Sequence, residues 1–295
     1  LGSAANFVTI DRDSTVLQFA RPHAPRIIEA EAEILREAAA RFWGAGNEDP
    51  RFLDCITNSR ENCLDEINAE LWSEQFALQR EAYHEVRAHF NGKLFVGKVP
   101  RLLQHGSDWR EVEKAPGTIF LKLAEGEERT ERALVTTTFI LRNIFRGQRF
   151  DRDPNAANSL HHTTAAEEQI WFIDPGQMRL APVESAERQL IGQCAARIVT
   201  AASKDRSPLQ VLDQAVDSFR SPTGKPPRLI SDLHSALVIG GNYTRELDPK
   251  HIQGAVFSAF KGAHPEILAQ LPRKIRIALR VKRPLIQFIE ESSIQ

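Results

Sequence analysis

Asp153-Pro154-Asn155-Ala156-Ala157-Asn158, followed by Ile173-Asp174-Pro175-Gly176 with Asp174 sixteen residues beyond Asn158, decides how this chain is read. Phosphoryl transfer of the kinase type needs three groups in a fixed order. One carboxylate accepts or orients the attacking hydroxyl, an Asn five residues later grips a metal from the same loop, and a second carboxylate after a strand holds Mg²⁺ against the phosphates. Mg²⁺ is a hard ion, commonly held by one or two protein oxygens together with phosphate oxygens. The apolar Ile170-Trp171-Phe172-Ile173 supplies the intervening strand. Taken singly, each motif is ordinary punctuation, because Asp-Pro opens turns and Asp-Pro-Gly ends strands. Their order and spacing favour the catalytic reading.

Working outward, the chain before this stretch alternates β-prone and helical runs. Phe7–Ile10 and Thr15–Phe19 flank Asp11-Arg12-Asp13-Ser14 and predict a hairpin. Ile28, Leu35, Ala39 and Phe42 share one face of a helix over 27–42. A loop at Gly44–Pro50 leads to a second helical zone, Arg60 to Phe90, carried by Leu64, Ile67, Leu71, Leu78, Ala82 and Val86. Leu94–Leu103 and Thr118–Leu123 read as strands separated by a polar loop holding Pro116-Gly117. Ala124–Glu128 is a polar connector and a candidate hinge, and Glu131–Phe145 is helical. Beyond Gly176 the chain is mostly helical, with a Pro/Gly/Ser linker at 221–227. The order predicts a two-lobe α+β plan.

Composition narrows the classes. The 295 residues carry a formal net charge of −1, with 42% hydrophobic and 26% charged residues, which excludes a disordered, collagen-like or disulfide-stapled chain. Such a balance offers no broad basic footprint for nucleic acid. Cys55, Cys63 and Cys194 are odd in number and widely spaced, as expected of free thiols in the cytosol or an organelle matrix. No run of about 18 apolar residues exists, so no transmembrane segment is expected.

The motifs resemble the UbiB/ADCK family, the AarF-domain atypical kinase-like proteins linked to isoprenoid-quinone metabolism. Asp153–Asn158 resembles that family's catalytic loop. Ile173–Gly176 resembles its metal-binding Asp-Phe-Gly, with Pro175 in place of Phe. Leu78-Gln79-Arg80-Glu81-Ala82 is similar to its αC segment, whose Glu pairs with the lysine of the third kinase strand. Gly2-Ser3-Ala4-Ala5 resembles its alanine-rich nucleotide loop, Thr15–Pro22 that third strand, and Leu233–Pro249 a late helical segment. The resemblance implies a two-lobed protein-kinase-like α+β fold. Its N-lobe would span 1–123, with a helix-rich αC insertion, and its helical C-lobe 124–295.

It further implies ATP or ADP with Mg²⁺ in the interlobe cleft. Asp153 would be the catalytic carboxylate, Asn158 and Asp174 the metal ligands and Glu81 an orienting residue. Ser3, Ala4, Ala5 and Gln18 would line the nucleotide. The expected function is an atypical kinase or ATPase, linked through the family to quinone or lipid metabolism. Its expected partners are a nucleotide and a lipid, a quinone-pathway protein or a membrane surface.

Departures from the family pattern open alternatives. Gln18 stands where the phosphate-gripping lysine belongs, and no lysine occurs before Lys93. Arg21 or Arg26 is a candidate substitute, although arginine and lysine are not interchangeable at such sites. Gln75 and Ala77 replace the acidic pair before the αC Glu. A pseudokinase scaffold is therefore one alternative, and a small-molecule phosphotransferase of the aminoglycoside-kinase type, which shares the Asp-x-x-x-x-Asn loop, is another. His161-His162 reads as exposed in a polar loop. The tail Arg273–Arg283 mixes bases with apolar residues, as does a solvated or membrane-surface helix.

Overall fold

The computed structural model describes residues 7–202 and 245–289, together with 232, 233, 236 and 243. Ser3, Ala4, Ala5 and the 221–227 linker lie outside the described residues, as does part of the 233–249 segment. The fold is α+β with two sheets, compatible with a two-lobed kinase-like arrangement.

The first sheet is antiparallel and built from β1 (Phe7–Asp11), β2 (Thr15–Ala20), β5 (Leu102–His105) and β6 (Trp109–Glu113), in the order β1-β2-β6-β5. The expected hairpin forms β1 and β2, and Gln18 lies opposite Arg110 in the β2–β6 register. The second sheet has six strands. β3 (Arg87–Phe90) and β4 (Lys93–Lys98) precede Leu123. β7 (Thr118–Ile119), β8 (Ser159–Thr163), β9 (Glu168–Phe172) and β10 (Gln287–Ile289) complete the order β10-β3-β4-β9-β8-β7. β4 and β9 run parallel, and the C-terminal β10 returns to pair with β3.

Helices α1 (Ala24–Trp43), α2 (Pro50–Ile67) and α3 (Ala69–Tyr83) connect β2 to β3. In α1, Ile28 and Ala39 are buried as expected, whereas Leu35 and Phe42 are exposed. The helical zone expected to continue to Phe90 is instead two helices and a strand. It breaks first at Asn68, whose Oδ1 accepts a hydrogen bond from Glu70 N at 3.1 Å and caps α3. It ends at His84, after which Glu85 adopts φ 59° and Arg87 enters β3. Asn68→Ala leaves the first turn of α3 uncapped and is expected to cost about 1 kcal/mol. The urea unfolding midpoint reads this directly.

α4 (Glu127–Phe145) is buried on nearly all sides from Arg132 onward, as befits a helix at the centre of a core. It packs on α6 (Pro249–Ala259), with Phe145 stacked on Phe260 at 4.5 Å. α5 (Ser185–Ala202) packs on α7 (Pro265–Ala269). No residue of α8 (Arg273–Val281) is buried, and Ile277 and Val281 are exposed. Among the described residues no helix is long and apolar enough to cross a membrane, and all three cysteines are free thiols.

Candidate functional site

The two motifs of the sequence reading meet. Asp153 and Asn158 lie on the loop that leads into β8, and Asp174 follows β9 by two residues. Since β8 and β9 are antiparallel partners, their outer ends carry both loops to one edge of the sheet. Three contacts fasten the loops there. Asp151 and Met178 form an antiparallel bridge, Ile173 N donates to the Asn158 carbonyl at 3.0 Å, and Arg179 N donates to the Phe150 carbonyl at 3.0 Å.

Within the first loop, Asn155 N donates to the Asp153 carbonyl at 2.7 Å and Asn158 Nδ2 reaches the same oxygen at 3.4 Å. With Nδ2 turned to the backbone, Oδ1 is the Asn158 atom left to coordinate a cation. Tyr243 braces the loop from behind, donating to the Asn155 carbonyl at 3.1 Å. In the second loop, Asp174 Oδ1 accepts from Gly176 N at 3.3 Å. A side chain at Gly176 would overlap Glu66 Cγ, so the α2 terminus presses against this turn. Gln75 of α3 adds a hydrogen bond to the Gly176 carbonyl at 3.3 Å. The Gln75 amide therefore holds the loop.

The electrostatics of the cluster are unusual. Asp151, Asp153 and Asp174 repel one another. Burial first, then the Asp153 charge, pushes the Asp151 carboxyl up to about 8, and Asp151 Oδ1 accepts from Asp153 N at 2.9 Å. Burial and then the Asp174 charge push Asp153 up to about 6. Asp153 Oδ1 is buried without a hydrogen-bond partner among the described residues. An acceptor so placed, beside a second carboxylate, is chemically suited to a proton or a cation. Among the described residues no three His, Cys, Asp and Glu side chains are grouped to hold a metal ion unaided.

Glu81 stands elsewhere. It is exposed on the last turn of α3 and faces a groove with Asn143, Gly147, Arg149 and Val183, a different set of neighbours from those of Asp153. The carboxylate that lies against the second loop is Glu66, 1% exposed at the end of α2 and beside Gly176. It was hidden in the sequence because a single helix over 60–90 gave no reason for the chain to turn there. Arg21 and Arg26 are both exposed and supply no charge to the cleft.

A cation that sequence reasoning missed is Arg110. It is 2% exposed, its Nε donates to Gln18 Oε1 at 2.7 Å, and its Nη2 lies 4.0 Å from Asp174 Oδ1. Burial draws its pKa down, while the Asp174 and Glu66 charges oppose that shift. Phe7, Trp72 and Phe76 surround the guanidinium at 4.5, 5.4 and 5.6 Å from their ring centres. The one available signal was the absence of any lysine before Lys93, which left the charge to an arginine or to a residue beyond that stretch. His161 also differs from expectation. It is buried on β8, and desolvation followed by the Arg132 charge lowers it to about 3, so it is neutral at physiological pH.

No protein-family profile matches the chain. No curated protein matches it either. Among solved structures, the chain is similar to that described as the complex of Rv3197 with erythromycin from Mycobacterium tuberculosis. The TM-score is 0.41 at 13% sequence identity, covering 92% of this chain and 71% of that one.

Proposed function

We propose that this cleft binds a nucleoside di- or triphosphate with Mg²⁺ and passes the terminal phosphoryl group to a hydroxyl acceptor or to water. The observation that carries the reading is the approach of Asp153 and Asp174, on loops fastened by the Asp151–Met178 bridge, close enough for the charge of one to raise the other.

The residues fit the ion. A divalent cation at Asp174 would relieve the repulsion between the carboxylates and leave the orphaned Asp153 oxygen facing the acceptor's proton. Asp174 and the side-chain oxygen of Asn158 would hold Mg²⁺, and the bound ion would supply charge to the phosphate oxygens. Asp153 accepts the proton of the acceptor hydroxyl. Burial, the larger cause of its raised pKa, keeps Asp153 a stronger base than an ordinary carboxylate. The backbone bonds around Asn155 hold the loop that carries it. The acceptor's setting in isoprenoid-quinone or lipid chemistry rests on the family resemblance alone.

The test is the thermal midpoint with Mg-ATP or Mg-ADP. A ligand at ten times its dissociation constant is expected to add about 1.4 kcal/mol, and EDTA is expected to remove the effect. No stabilisation by either nucleotide would defeat the proposal. One observation favours a second reading, a scaffold that does not turn over nucleotide: Arg110 already sets a positive charge 4.0 Å from Asp174 without any metal. That reading predicts no hydrolysis of Mg-ATP by the wild type and no effect of Asp153→Asn on the protein's activity, whether or not nucleotide shifts the melting.

A further inference from the structure

A cleft that grips a polyphosphate needs a fixed positive charge, and the position expected to supply it holds Gln18, an amide. An amide can donate a hydrogen bond but cannot offset phosphate charge. The strand pairing brings a substitute to the same place. β2 and β6 are antiparallel neighbours, and Gln18 and Arg110 lie directly opposite each other across them. Residues paired in this way are close enough for their side chains to interact, and here they do, through the 2.7 Å bond from Arg110 Nε to Gln18 Oε1.

We propose that Arg110 is the phosphate-gripping cation of this cleft, displaced one strand from its expected position, with Gln18 serving as its brace. The inference rests on the nucleotide reading given above and identifies how the site recognises its ligand.

Four features of Arg110 support the assignment. It is nine-tenths buried and more, yet its Nη1 has no hydrogen-bond partner among the described residues. A buried guanidinium donor left unsatisfied is costly, and a phosphate oxygen is the acceptor its planar fork fits best. Its Nη2 lies 4.0 Å from Asp174 Oδ1, and the Asp174 side chain is 18% exposed, so the pair reaches the surface beside the acidic loops. The rings of Phe7, Trp72 and Phe76 hold the guanidinium in place, so little side-chain freedom remains to be lost on binding. Finally, Glu66 acts on Arg110 electrostatically, the part that an αC carboxylate plays toward the lysine in a kinase.

A merely structural arginine would neutralise Asp174 and Glu66 without touching a ligand, and the two roles separate by experiment. Arg110→Gln is expected to weaken Mg-ADP binding by about tenfold or more, with adenosine affinity unchanged. Adding Gln18→Lys to Arg110→Gln returns a cation to the expected strand and is expected to restore Mg-ADP binding. Titration calorimetry on the folded variants reads both. A folded Arg110→Gln protein that binds Mg-ADP like the wild type overturns this inference alone. Failure of the wild type to bind Mg-ADP overturns the nucleotide reading, and this inference with it. If Arg110→Gln does not fold, the double variant is decisive by itself: binding supports the relocation, and a folded double variant without binding rejects it.

Discussion

Asp153→Asn is expected to lower nucleotide turnover by about 10²–10⁴-fold, the usual contribution of a positioned general base, while Mg-nucleotide still stabilises the folded protein. The asymmetry follows from where the group sits. Asp153 is one shell away from the Arg110–Asp174 pair, its charge repels that of Asp174, and an amide of the same shape keeps the loop while removing the repulsion. Binding is therefore preserved or tightened and the proton has nowhere to go. Single-turnover hydrolysis of Mg-ATP, set beside a thermal shift on the same sample, reads both halves. Equal turnover in variant and wild type would remove Asp153 from the chemistry.

Stability is the second large expectation. In the folded protein Asp151 titrates near 8, whereas in the unfolded chain it is an ordinary aspartate near ~3.9. The folded state therefore holds a proton that the unfolded state has already released, and stability falls as pH rises through that interval. Asp153 acts in the same direction up to about 6. Below about pH 6.5 the buried, neutral His161 works oppositely, because there the unfolded chain takes up the proton. Only between about 6.5 and 8 does Asp151 act without that opposition. Over that span we expect the wild type to lose on the order of 1.5–2 kcal/mol, and Asp151→Asn to flatten the slope. Urea midpoints at pH 6.5, 7.2 and 8 measure it. An equal slope in both proteins would mean that Asp151 is already ionised at neutral pH.

Local pattern carried much of the fold and stopped where a residue's meaning depends on distant partners. The β1–β2 hairpin, α4, β9 and both loops of the cluster announce themselves through alternation, helical period and turn residues within a few positions. β6 does not. Trp109-Arg110-Glu111-Val112-Glu113 reads as a polar loop because its buried residues include Arg110 and Glu111, and neither belongs inside until Gln18, Gln104 and Asp174 arrive from elsewhere. β8 is similar: Ser159 and His161 are buried beside Tyr243 and Phe120, partners remote in sequence. The burial of Glu66 and exposure of Glu81 were hidden for the opposite reason. A helical period that runs on through Asn68 hides a break, and the break decides which carboxylate turns inward.

The parallel pairing of β4 with β9, and the return of β10 to β3, stitch early and late parts of the chain into one sheet. A hinge at the Ala124–Glu128 connector would have to tear that fabric. The other sheet carries Gln18 and Arg110, and the packing of that arginine against Trp72 and Phe76 of α3 ties it to the same frame.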